Sequence, residues 1–163
     1  MPVPEGSTAL PFTLLDSHGK SRASSEFHAS GPALLCFYKT DCPTCNLAFP
    51  FVETIHQAYR SAGLTVMGIG QDDADELNRF QAQHGATFLQ GSDAPPYPIF
   101  RSFDVAVTPT LILLGQHGQV LRSLQAWDRT QYNALSEHIA SLAGVPVAVV
   151  SCEGDGAPPF RPG

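Results

Sequence analysis

Two cysteines three positions apart, in Cys42-Pro43-Thr44-Cys45, are the residues of this chain whose types and spacing point most directly to chemistry. A thiolate attacks a disulfide, and a second thiol within reach resolves the mixed disulfide that results. Residues three apart on a helix share a face, so two such sulfurs can join at the Cα separations of about 4.4–6.8 Å that a disulfide spans. Pro43 at the first helical position gives up an N–H that lacks a partner anyway and presets the helical φ. Cys42 then stands where unpaired backbone N–H groups and the positive end of the helix dipole favour a thiolate. Asp41, a carboxylate next to it, works against that ionisation. Burial is expected to keep Cys45 protonated, and its proton can travel through water or another group, with Lys39 one candidate. The same four residues also spell half of a zinc site. No second Cys-X-X-Cys and no closely spaced His pair supplies the other half, and Cys36 and Cys152 are isolated, so no metal is expected.

The elements that must hold this pair are legible in the hydrophobic pattern. Ala33–Tyr38 is apolar without alternation, the mark of a central strand covered on both faces, and Cys36 within it reads as a core thiol. After the turn Lys39-Thr40-Asp41, the spacing of Ala48, Val52, Ile55 and Tyr59 predicts a helix from Pro43 to about Ala62, stopped by Gly63 and kinked at Pro50. Leu64–Ile69 predicts a second buried strand. Asp72 or Asp73 then caps a helix with Leu77, Phe80 and His84 on one face, ending before Gly85. Thr87–Gln90 predicts a short strand, and the prolines between Ser92 and Phe100 a surface connection. Thr110–Leu114 and Gln119–Leu124 flank Gly115-Gln116-His117-Gly118 as a hairpin. Asp128 caps a last helix with the stripe Tyr132, Leu135, Ile139 and Leu142. Strand, helix, strand, helix, strand pair, helix predicts an α/β fold of three layers around a mixed sheet. Pro109, before the strand Thr110–Leu114, is read as following a cis bond that turns the Thr108 backbone toward the dithiol, where it can pair with a peptide strand.

A chain of 163 residues fits one domain, here 1–146, and the Gly/Pro-rich composition of 147–163 predicts a mobile tail. The net charge of −6, without a basic run, argues against nucleic acid as a partner. The apolar runs are far shorter than the roughly 20 residues of a membrane span, and the N-terminal residues do not resemble a secretory leader. A soluble, cytoplasmic, monomeric protein is therefore expected, with a periplasmic or anchored one if an N-terminal segment has been removed. Four cysteines are too few for a disulfide scaffold of this size, which favours reactivity.

With these residues in view, the chain resembles the thioredoxin superfamily and, within it, the TlpA-like thiol/disulfide oxidoreductases grouped with the alkyl hydroperoxide reductase and thiol-specific antioxidant proteins. The resemblance covers about residues 6 to 143. It rests on Gly6–Leu14 as an N-terminal extension, Phe37–Cys45 as the active-site turn, Pro50 as the helix kink and Val107-Thr108-Pro109-Thr110 as the cis-proline loop. The resemblance implies a thioredoxin-like fold with an inserted helix-strand unit between Asp72 and Gln90. It implies that Cys42 and Cys45 are catalytic and that Pro43, Thr44, Thr108 and Pro109 meet the substrate. A redox-active Cys42–Cys45 disulfide would serve in place of a separate cofactor. The implied partners are a disulfide-bearing protein or small thiol and an upstream thiol reductant, in redox homeostasis; the direction depends on potential, and an N-terminus unlike a secretory leader adds the expectation of a reducing compartment and hence a reductase. The chain departs from the family pattern where thioredoxin carries a buried Asp, here Cys36, and where some TlpA-like proteins carry a Glu, here Ala48. Two other readings compete. A peroxiredoxin-like peroxidase would set a threonine where Lys39 stands and a proline where Leu35 stands, and a non-catalytic redox-sensing or binding module would turn nothing over.

Overall fold

The computed structural model describes residues 2–163. Its centre is β3 (Ala33–Tyr38), buried throughout, which pairs in parallel with β4 (Thr65–Gly70) and antiparallel with β6 (Thr110–Leu114). Beyond β4 lies β5 (Leu89–Ser92), parallel to it, followed by β1 (Thr13–Asp16) and β2 (Ser21–Ala23), while β7 (Val120–Gln125) closes the opposite edge. The seven-stranded order is therefore β2-β1-β5-β4-β3-β6-β7.

Alternation along β3 divides the core in two. Leu34, Cys36 and Tyr38 face one layer with α2 (Pro43–Tyr59), α3 (Ala74–His84) and α5 (Arg129–Ala143), while Ala33, Leu35 and Phe37 face the other with α1 (Ser24–His28) and α4 (Pro98–Ser102). This is the predicted three-layer α/β fold. The crossovers β3-α2-β4 and β4-α3-β5 run between adjacent parallel strands, so both helices land on one face, and the active-site turn opens at the carboxyl end of β3.

Several local expectations are corrected. Asp73, not Asp72, caps α3, its carboxylate accepting from Glu76 N at 2.9 Å. Leu142 lies outside the buried stripe of α5 and is 48% exposed. The sequence pattern missed β2 and α1, which are too short to show a period. Where composition predicts a mobile tail, residues 147–163 instead lie packed on the body: Val150 and Ser151 are buried, and Asn133 Nδ2 donates to Ser151 O at 2.8 Å. Further on, Trp127 Nε1 donates to Pro158 O at 2.7 Å, and β9 (Phe160–Arg161) pairs antiparallel with β8 (Trp127–Asp128). Proline and glycine leave few side chains for packing but keep their carbonyls, and the body's side-chain donors bind those.

Candidate active site

Cys42 is the N-cap residue of α2, and its backbone is extended, at φ −91° and ψ 115°. Its sulfur takes the capping role that a serine or aspartate oxygen usually fills, accepting from Cys45 N at 3.2 Å. An N–H without an intrahelical acceptor at the helix start thus finds its partner in Cys42 Sγ. On its other side the thiol donates to Thr108 O at 3.4 Å, and the Thr108–Pro109 peptide is cis. Cys42 is half-buried, Cys45 is 1% exposed, Pro109 is buried, and Pro43, Lys39 and Asp41 lie at the surface. Thr44 is buried, and its hydroxyl donates to Pro162 O of the C-terminal segment at 2.6 Å.

The turn before Cys42 is clamped from two sides by residues to which sequence reasoning gave no part in the site. Asp72 accepts from Thr40 N at 2.8 Å. Asn46 Nδ2 donates to Cys42 O at 3.0 Å and to Thr40 O at 3.4 Å, and the Asn46 side-chain oxygen meets His84 Nε2 at 2.9 Å. The signal for Asn46 was its place in the first turn of a helix, from which a side-chain amide reaches back over the cap. An Asn46→Ala variant should lose about 1–2 kcal/mol of stability, the scale of one or two net hydrogen bonds. It should also alkylate more slowly at Cys42 than the parent. Chemical denaturation and iodoacetamide kinetics measure the two effects.

Burial, reinforced by the hydrogen bond with Cys42, pushes the Cys45 thiol far above the ordinary cysteine range. Burial likewise raises Cys36, on the same face of β3, to about 12, with the neighbouring Cys42 adding to the shift. Both thiols are therefore neutral in the folded, reduced protein, and the stability this confers is fully present below the unfolded thiol value of about 8.5. As pH rises above that value, the unfolded chain releases protons that the folded chain keeps, and stability falls. At pH 9.5, one unit higher, each of the two buried thiols accounts for a loss of about 1.4 kcal/mol. Guanidinium midpoints at pH 7.0 and 9.5 under reducing conditions measure the drop, and Cys36→Ala should remove about half of it. The acid side has the opposite origin. Burial lowers His84, so the unfolded chain gains the proton first and stability declines as pH falls below about 6.5.

A cap sulfur at the carboxyl end of a buried strand, a second sulfur one helical turn on, and a proline loop against the first define a thioredoxin-like dithiol site. The Redoxin family model matches residues 4–136, and the chain belongs to that family, on its TlpA-like thiol-disulfide oxidoreductase branch. The chain is 25% identical over 118 residues to the thiol-disulfide oxidoreductase ResA of Halalkalibacterium halodurans, a match covering 72% of this chain and 66% of that protein. Its fold superposes with a TM-score of 0.78 and 25% identity on a Chlorobium tepidum protein described as a putative thiol:disulfide interchange protein DsbE, covering 87% of this chain and 99% of the other. A wheat chloroplastic peroxiredoxin Q is 34% identical over a shorter stretch of 92 residues, 56% of this chain and 42% of that protein. The chain thus spans about two thirds of the length of the ResA relative. The expected cytoplasmic setting draws no support from these relatives. Among the described residues, no helix is long and apolar enough to cross a membrane.

Proposed function

We propose that the protein reduces disulfides of polypeptide partners by cycling Cys42 and Cys45 between dithiol and disulfide. The observation that carries this reading is the asymmetry of the pair: Cys42 is half-exposed and capped by an N–H, while Cys45 is buried three residues on. Cys42 thiolate attacks one sulfur of the partner disulfide, forming a mixed disulfide and expelling the partner's other sulfur as a thiolate that takes up a proton. Cys45 then loses its proton and attacks Cys42 Sγ, forming Cys42–Cys45 and releasing the partner's second thiolate, which is protonated in turn. Two electrons pass to the partner, and an upstream thiol reductant restores the dithiol. Burial makes Cys45 hard to ionise and so a poor leaving group, which slows the opening of the Cys42–Cys45 disulfide by an incoming thiol. Pro43 and Thr44 shape the approach to Cys42, Thr108 and Pro109 hold the partner backbone, and Lys39 and Asp41 tune the charge at the mouth.

Mass-tagged alkylation across a dithiothreitol redox series, with each cysteine located afterwards, tests this. Cys42 and Cys45 should be protected together in a single two-electron transition, and pairing of Cys42 with Cys152 instead would remove the resolving role of Cys45. The peroxiredoxin match gives a peroxidase reading its own support, and hydrogen peroxide consumption with dithiothreitol as donor separates the two.

A further inference from the structure

The groove beside the dithiol already holds a piece of chain. After Pro158, anchored on Trp127, Arg129 N donates to Pro159 O at 3.0 Å, and Phe160–Arg161 pair with Asp128 and Trp127 as a two-residue ladder. Pro162 O then accepts the Thr44 hydroxyl, and Gly163 lies so close to Val107 and to the Thr108 carbonyl that a methyl group on its Cα would overlap both. Thr44 lies between the two cysteines, and Thr108 O is the acceptor of the Cys42 thiol. The segment therefore runs in extended form along the two sides of the dithiol. Every residue from Pro158 to Gly163 is exposed, so it can lift away without opening the core, whereas buried Val150 and Ser151 remain as its anchor.

We propose that residues 160–163 are a tethered stand-in for substrate, held in the groove where the extended polypeptide of a disulfide partner binds. The inference rests on the oxidoreductase reading and specifies its substrate class. The contacts define the incoming partner: a backbone carbonyl placed to accept from Thr44, and next to it a glycine or similarly small residue against Thr108 O. A polypeptide must displace the stand-in before its sulfur reaches Cys42, while a small disulfide reaches this half-buried residue past it. Apparent affinity for polypeptides is thus lowered by the fraction of molecules whose groove is filled.

Two variants that leave the dithiol untouched test this: a chain ending at Pro159, which keeps the Trp127 and Arg129 contacts, and Gly163→Val, which forces the segment off Thr108. Each should raise kcat/KM for insulin reduction by about three- to tenfold, the range set by one net hydrogen bond, and change reduction of hydroxyethyl disulfide less than twofold. A synthetic peptide of residues 157–163 should inhibit the shortened chain competitively against insulin. Unchanged insulin kinetics in both variants, or an equal rise with both disulfides, overturns the inference while parental turnover of hydroxyethyl disulfide leaves the oxidoreductase reading standing. Failure of the parent to turn over either disulfide brings down both.

Discussion

A Cys45→Ser variant should accumulate as a covalent mixed disulfide with its substrate through Cys42, and Cys42→Ser should form no such adduct. The single-site geometry fixes this division of labour. Cys42, a half-buried residue within a partner's reach, caps the helix through its Sγ, whereas Cys45 lies buried one helical turn on, packed in the core. Without the buried thiol, the first attack proceeds and the second does not. Without the cap sulfur, no accessible nucleophile remains in the pair, and steady-state turnover should fall by about 10³-fold or more. Non-reducing electrophoresis with an insulin-derived disulfide peptide reads the adduct. Equal trapping by both single variants would contradict the assignment of attacking and resolving roles.

The second large effect is on stability. Phe49 lies on α2 one turn beyond Cys45 and packs its ring against Tyr38, Phe80 and Phe88 at centroid distances of 4.8, 4.7 and 4.9 Å. It is 1% exposed and links the active-site helix to β3 and α3. Phe49→Ala should cost about 3–5 kcal/mol through lost transfer energy and the cavity left among three rings. That is a large part of the 5–15 kcal/mol typical of a domain, and the thermal midpoint should fall by about 10 °C. Differential scanning calorimetry on the reduced protein measures it. A loss below about 1 kcal/mol would mean that the cluster closes over the gap.

The fold was readable wherever a single element carried its own period. The unbroken apolar run of Ala33–Tyr38 specified a central strand, and Asp128 with Tyr132, Leu135 and Ile139 specified the last helix. Cys42 and Cys45 were readable because helix-start chemistry depends on residues adjacent in sequence. What escaped depends on contacts across the fold. Asn46 and His84 are 38 positions apart, and nothing in either local pattern announces their bond. Asp72 and Asp73 have the same side chain, and only the tertiary position of Thr40 draws one away from the helix cap. Residues 147–163 looked unstructured because composition counts side chains, whereas this segment is held largely by its own carbonyls and by a few polar groups that receive bonds from the body.

Trp127 is the one tryptophan of the chain, fully shielded, with its ring 4.5 Å from Phe51 on the active-site helix and its N–H bonded to Pro158. Its ultraviolet emission therefore comes from one known location, next to both the helix that carries the sulfurs and the strap that crosses them. The molecule has a built-in optical gauge. Residues 160 and 161 pair with the backbone of Trp127 and Asp128, so peeling the strap away changes the surroundings of the indole while its bond to Pro158 stays, and a change in its emission follows occupancy of the groove in real time without a dye.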